Sequence, residues 1–557
     1  MRRLFRILLV LLMLPVLLLL LVEVVFIFTV PEPPAQDGDA SEMAVEAVGM
    51  VNRSAHGWYQ RNNLGLWEAY IEGEPYQRGL ALGMMAQTQV REQEEHFVAQ
   101  IKRLVPGSLL LRSLRYGVAW FNRNLNRHVP REYQREIWGM SQAFDPKNDW
   151  IGPPYARVMN YHAAHDIGHA LQDLSIVGCT SFAAWGAASA DSGLIIGRNF
   201  DFYMGEDFAR DKMVLFVRPD SGHAFASLTW AGFMGVVSGM NQEGLTVTLN
   251  AAKSGIPTGS KTPISILARE ILQYAGNITE ALAIARSRET FVSESIMVGS
   301  AADGRAVIIE KSPTLTSVYS PDGQRMVCAN HFQSEGFRTD SANAQFGRLS
   351  DSPYRFARMN ELLDSIGPID SHTSALVLRT RTDAHGTDIG LGNPRSINQL
   401  IAHHAVIFKP ERRLMWVSTH PYQLGAMVCY DLNKVFDGDK ADVNRSVAVD
   451  SLNIPSDPFA ESDAFVGYAQ FREVRQRIIG LTLLGQEMEW DAEQERAFIQ
   501  SNPNSYLTYL YLGDLHRAQG HLDVAATHYR KSLSLAVASK SEELSIKQRL
   551  DECLKKD

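Results

Sequence analysis

Cysteine is scarce: the chain has 557 residues and four cysteines, Cys179, Cys328, Cys429 and Cys553. Four are too few for a disulfide scaffold at this length, and no two stand at the spacing of a metal knuckle. No metal and no other cofactor is therefore expected. A strong excess of charge is also missing. Lys+Arg total 54 against 62 Asp+Glu, a formal net charge of −8, so there is no basic surplus to draw nucleic acid. Compositional bias toward disorder is absent too, with 45% hydrophobic and 21% charged residues. These absences leave a globular protein, too long for one core, with a cysteine free for chemistry.

The first thirty residues differ from the rest. Arg2, Arg3 and Arg6 precede a run from Ile7 to Val30 that is apolar except for Glu23 and Thr29. A secretory core is about 7–15 residues and a membrane span about 20. The run fits the span, and no small-residue cleavage site follows it. Residues 1–30 are read as cytoplasmic arginines and a signal-anchor helix, the alternative being a long signal peptide that is removed. Either way the catalytic part is expected outside the cytoplasm, on the periplasmic or extracellular side.

Pro31–Ala44 is a polar, proline-containing tether. Helical signals dominate from Val51 to Val177, with helical apolar spacing over Gln89–Leu104 and Arg131–Phe144. From Ile176 to about Leu432 short apolar runs alternate with turn signals and read as strands, interrupted by helical stretches at Ile264–Arg286 and Arg355–Ser365. That mixture predicts an α+β layered domain. Arg445–Ser462 is a second polar linker. Beyond it lies a helical end whose Leu512-Gly513, Gly520, Ala525 and Tyr529 follow the tetratricopeptide pattern, while Ser532 and Val537 depart from it. One such unit cannot bury its own face, so it is expected to dock on neighbouring helices or on a protein partner.

The chemistry concentrates around Val177-Gly178-Cys179-Thr180-Ser181-Phe182. Cys179 opens a strand, Ala190-Asp191-Ser192-Gly193 supplies a turn, and a second strand runs back into Gly197-Arg198-Asn199-Phe200-Asp201. Such a hairpin returns Arg198 and Asp201 to the level of Cys179. His165-Asp166 and His169 lie just upstream and read best as part of a solvent-facing helix. His403-His404 is not taken as a metal site, because adjacent residues of a strand point to opposite faces.

Gly-Cys-Thr followed by Gly-Arg-Asn-Phe-Asp resembles the N-terminal-nucleophile hydrolases of the acyl-coenzyme A:6-aminopenicillanic acid acyltransferase family, which is related to choloylglycine hydrolase and acid ceramidase. The resemblance continues in order through Gly239–Leu245, Leu249-Asn250, Cys328-Ala329-Asn330 and Ser352–Phe356. It implies a four-layer α-β-β-α fold. Residues 31–178 are then a helical pro-segment, 179–445 the catalytic domain, 446–490 a linker and helix, and 491–557 the tetratricopeptide-like segment. It also implies autocatalytic scission of Gly178–Cys179. The freed α-amine, with a pKa near 8, then serves as base for its own thiol. By the same resemblance Asp201 holds that amine, Arg198 favours the thiolate, Asn250 donates to the tetrahedral oxygen, Asn330 positions substrate or nucleophile, and Arg355 is an additional arginine near it. Asn250 follows Asn241 by one position fewer than in the choloylglycine hydrolases, which bears on the oxyanion partner. The expected activity is hydrolysis or acyl transfer on the linear amide of a small acylated amino compound. The competing expectation is a membrane-tethered tetratricopeptide scaffold with a retired hydrolase domain.

Overall fold

The computed structural model describes residues 13–555 apart from 14–16, 18–19, 36–42, 106, 171–177, 256–258, 438–445, 485–487 and 489. Its strands are β1 (Glu46–Val48), β2 (Val51–Ser54), β3 (Gly57–Arg61), β4 (Trp67–Gly73), β5 (Thr180–Ala184), β6 (Ile195–Asp201), β7 (Lys212–Pro219), β8 (Phe225–Trp230) and β9 (Ser238–Asn241). They continue with β10 (Leu245–Ala251), β11 (Glu294–Ser300), β12 (Arg305–Lys311), β13 (Thr316–Tyr319), β14 (Arg325–Cys328), β15 (Ala402–Lys409), β16 (Leu414–Ser418) and β17 (Met427–Asp431). Eleven form one sheet, in the order β1-β2-β3-β4-β7-β8-β9-β10-β11-β12-β13, and six form the other, β14-β5-β6-β15-β16-β17.

Strand periodicity builds the layers, because alternate side chains leave on opposite faces. In β10, Leu245, Val247 and Leu249 pack under helices Pro75–Met85, Arg131–Ser141 and Ile264–Tyr274. Val214, Phe216, Leu228 and Met297 of the large sheet meet Ile196, Val406, Phe408 and Val417 of the small one. Phe182, Ile195 and Ile407, on the small sheet's other face, pack against Met359, Leu363 and Leu378 of helices Ser352–Ile366 and Ser371–Leu378. The result is helices, sheet, sheet, helices: the layered α+β architecture expected.

The segment 31–178 is not simply helical. Its residues 46–73 form β1 to β4, and β4 joins the large sheet through a parallel pairing with β7, Trp67 opposite Met213 to Gly73 opposite Pro219. These short strands, with Trp and Tyr among polar residues, carry no local turn signal for a partner more than a hundred residues away. The helical stretch at 264–286 is two helices, Ile264–Tyr274 and Ile278–Ser287, the second capped by the Asn277 side chain on Glu280 N–H.

The C-terminal helices Asp463–Leu484, Ala492–Ser501, Tyr506–Ala518, Leu522–Leu533 and Lys540–Leu554 share their own apolar core. They dock on the loop 388–393: Leu391 N–H donates to Asn502 Oδ1 at 2.9 Å, and Asn393 Nδ2 donates to Ala536 O at 2.8 Å. Ser532, a departure from the repeat pattern, donates to Tyr506 O at 2.9 Å.

The expected span at 7–30 lies largely outside the described residues. Residues 20–29 are helical and lie on helix Ser108–Asn122, with Glu23 accepting from Arg115 Nη2 at 2.6 Å. Among the described residues no helix is long and apolar enough to cross a membrane. The side chains of His165, Asp166 and His169 fall outside the description.

Candidate active site

β5 and β6 are an antiparallel hairpin in which Thr180 faces Asn199 and Ser181 faces Arg198. Period two then sends Ser181, Ala183, Arg198 and Ile196 into the space between the sheets, and Cys179, two residues before Ser181, starts the same row. Cys179 is buried. Its Sγ accepts from Arg198 Nη2 at 3.7 Å and donates to Asp201 O at 3.9 Å.

Arg198 is itself buried and has no carboxylate among its hydrogen-bond partners. It donates to Val237 O (2.8 Å), Ser238 Oγ (2.5 Å) and Leu249 O besides the sulfur. Burial pushes the Cys179 thiol up to about 11, with Arg198 opposing but not overcoming it. The thiol in the intact chain is therefore protonated near neutrality and needs a base. Asp201 is fully buried, and neither of its carboxylate oxygens has a hydrogen-bond partner among the described residues. Burial pushes it up to about 7, while Arg355 and Arg198 pull it down.

Arg355, on the first turns of helix Ser352–Ile366, reaches back to the strand start. Its Nη1 donates to Cys179 O at 2.7 Å and Thr180 Oγ1 at 2.9 Å, and its Nη2 donates to Asn330 Oδ1 at 2.9 Å. Asn330 Nδ2 donates to Ala251 O at 2.9 Å, and its second N–H has no partner among the described residues. Asn250 sits across from the hairpin, with Oδ1 accepting from Ser181 Oγ at 2.8 Å. Its Nδ2 donates to Cys328 O (3.1 Å) and Ala329 O (3.3 Å). Those two carbonyls fix the amide's orientation and occupy both N–H groups, so in the intact chain Asn250 braces the site and does not offer a free donor. Cys179, Arg198, Asp201, Asn250, Asn330 and Arg355 thus form one connected cluster.

Gln399, Ser238, His403 and His404 also reach this cluster, in roles that the sequence does not announce. Gln399 Nε2 donates to the Gly178 carbonyl at 2.7 Å. A Cβ on Gly178 would stand 2.5 Å from that amide nitrogen, so a larger residue there would displace the Gln399 amide from the carbonyl. Ser238, holding Arg198, is bonded to His404 Nε2 at 2.9 Å, and His404 Nδ1 lies 2.9 Å from His403 Nδ1. A register shift between Ala402 and His404 brings the two rings together, so the alternation used to separate them does not hold there. Burial drives both histidines well below the usual range. They are neutral, and His404 Nε2 is free to accept from Ser238. No sequence signal marks this chain of contacts.

A buried cysteine thus opens a strand between two sheets, with its own carbonyl and that of Gly178 each held by a side chain and a guanidinium on its sulfur. The family model for acyl-coenzyme A:6-aminopenicillanic acid acyl-transferase matches residues 188–386, and over that stretch the chain is similar to this family. The match begins past Cys179 and contains Arg198, Asp201, Asn250, Asn330 and Arg355. An uncharacterized protein of Archaeoglobus fulgidus is 25% identical over 42% of this chain and 41% of its own length. The N-acylethanolamine-hydrolyzing acid amidase of Caenorhabditis elegans is 25% identical over 39% of this chain and 59% of its own. The chain thus spans only about half the length of the curated relatives it matches. A solved structure of the Caenorhabditis elegans N-acylethanolamine-hydrolyzing acid amidase ortholog is 20% identical, covering 42% of this chain and 93% of that one, with a TM-score of 0.31.

Proposed function

We propose that the protein is a self-cleaving N-terminal-nucleophile amidohydrolase or acyltransferase with Cys179 as its nucleophile. The observation that carries this reading is the buried Arg198 guanidinium, which donates to the Cys179 sulfur and otherwise to uncharged oxygens, the Glu294 and Asp201 carboxylates acting on it only through their charge. A buried guanidinium that donates to a sulfur lowers the cost of a thiolate there.

In scission, Sγ attacks the Gly178 carbonyl carbon and Gln399 Nε2 donates to the oxygen as charge develops there. The C–N bond breaks, the Cys179 nitrogen takes up the proton given up by the thiol and leaves as an amine, and water opens the resulting thioester to a Gly178 carboxylate and the free thiol. The new α-amine takes the thiol proton in each later turnover, and the unpartnered Asp201 carboxylate holds it in place. A substrate amide is then attacked in the same way. Its acyl group passes to sulfur, its amine leaves, and water or a second amine takes the acyl group. Asn330, whose second amide N–H has no partner among the described residues, supplies a donor to the oxyanion; Asn250 and Arg355 hold the frame.

The substrate class is an acylated amino compound. A small cavity of about 30 Å³ lies between residues of the N-terminal segment (Val90, Phe97, Phe144, Tyr161) and Phe202 and Phe208 beyond Asp201. Its apolar walls suit an acyl chain. The apolar N-terminal run tethers the enzyme on the outer side of a membrane, where such compounds partition. The tetratricopeptide-like hairpin serves first as a support docked on loop 388–393, and any protein partner uses the face left over.

Denaturing electrophoresis with mass spectrometry tests the proposal. Wild-type protein should give two fragments with Cys179 at the start of the second, and Cys179→Ala one full-length, inactive chain. Active protein in which Cys179 remains joined to Gly178 would overturn it.

A further inference from the structure

We propose that Glu495, His516 and His528, in the C-terminal helical unit, bind a divalent transition metal of the zinc type. The residues come from three successive helices, Ala492–Ser501, Tyr506–Ala518 and Leu522–Leu533. Each turns one ligand atom inward, and these atoms lie within 4.8 Å of one another, the one such group of three among the described residues. His516 Nε2 is 2.9 Å from Glu495 Oε2, and His528 Nε2 is 3.3 Å from Glu495 Oε1. Zinc takes nitrogen and oxygen ligands at about 2.0–2.2 Å, which sets tetrahedral ligand atoms roughly 3.4 Å apart. Small rotations of the two rings, stacked with centroids 5.3 Å apart, bring both lone pairs onto one ion.

The surroundings suit a cation. Trp490 Nε1 donates to Glu495 Oε2 at 3.3 Å and orients the carboxylate from outside, as outer-shell partners of metal ligands do. The Glu495 side chain is 24% exposed, which gives an ion a way in and a fourth position for water. Two imidazoles with one carboxylate select zinc-like metals over calcium and magnesium, which take oxygen ligands. The expectation of no metal rested on cysteine spacing, and this site uses none. Its role is to tie together three successive helices of the C-terminal unit.

The test uses the full chain prepared without a histidine tag, stripped with chelator and titrated with cobalt(II). Wild type should develop the visible absorption of four-coordinate cobalt with one equivalent, lose it to one equivalent of zinc, and melt at higher temperature with zinc added. His528→Gln and the near-isosteric Glu495→Gln should each weaken uptake at least tenfold with unchanged circular dichroism. No absorption above that of free cobalt in wild type, or equal uptake in wild type and Glu495→Gln, overturns the proposal and leaves a carboxylate bonded to two imidazoles.

Discussion

Two residues at the scissile peptide can be separated by what each should change. Gln399 donates to the Gly178 carbonyl at 2.7 Å, so its effect falls on scission. One oxyanion donor is worth a factor of about 10²–10³ in rate. Gln399→Ala should lengthen the half-time of cleavage, followed on denaturing gels, by about that factor. Asp201 should show itself in pH dependence. Its folded-state value is raised to about 7 by burial, above an unfolded carboxylate near 4. Between those values the folded chain holds the proton that the unfolded chain has released. The stability this group contributes is therefore complete below about pH 4 and is lost as pH rises toward 7. Denaturant unfolding of uncut Cys179→Ala protein should show stability falling over that window. The fall should be absent when Asp201→Asn is added. An unchanged slope in the double variant would show that the carboxyl is not buried as described.

Helices Pro75–Met85 and Arg131–Ser141 cross at two glycines. A Cβ on Gly79 would meet Glu136 O at 1.8 Å, and one on Gly139 would meet Tyr76 O at 2.2 Å. The same crossing buries Glu136 between Arg78 (2.8 Å) and Arg269 (3.2 Å), so backbone approach and ion pairing depend on each other. Gly139→Val should cost at least about 3 kcal/mol, read as a lowered denaturation midpoint with the site chemistry intact in the fraction still folded. Elements whose partners are close in sequence were legible beforehand. The β5–β6 hairpin followed from its turn residues, and it carried Cys179, Arg198 and Asp201 together. Helices Gln87–Leu104 and Arg131–Ser141 followed from their periodicity. What escaped depends on distant pairing: β1 to β4 through β7, Gln399 from 221 residues away, and Ser238 with His404 through a bulge. The family resemblance, not the spacing, supplied Asn250, Asn330 and Arg355. For Asn250 it supplied a donor role that the amide's present partners do not leave free.

Across the whole molecule the proposed cut falls between segments that share both a sheet and a core. Residues 46–73 supply four of the eleven strands of the large sheet, and β4 pairs with β7 along seven residues. Leu82, Met85, Ile137 and Met140 of the N-terminal part pack with Leu215, Val247 and Ile271 of the rest. Breaking one peptide at Gly178 removes none of those contacts. It does leave Asp201 able to bond a charged amine at the new chain start, so scission should not loosen the fold. The two fragments should therefore elute as one species in native size-exclusion chromatography and separate only in denaturant. Reassembly after denaturation should be far less efficient for the cleaved chain than for uncut Cys179→Ala, because the parallel β4–β7 pairing then has to form between separate chains without the covalent link that raises their effective concentration. Fragments that part on a native column would mean that β1 to β4 do not hold the sheet as described.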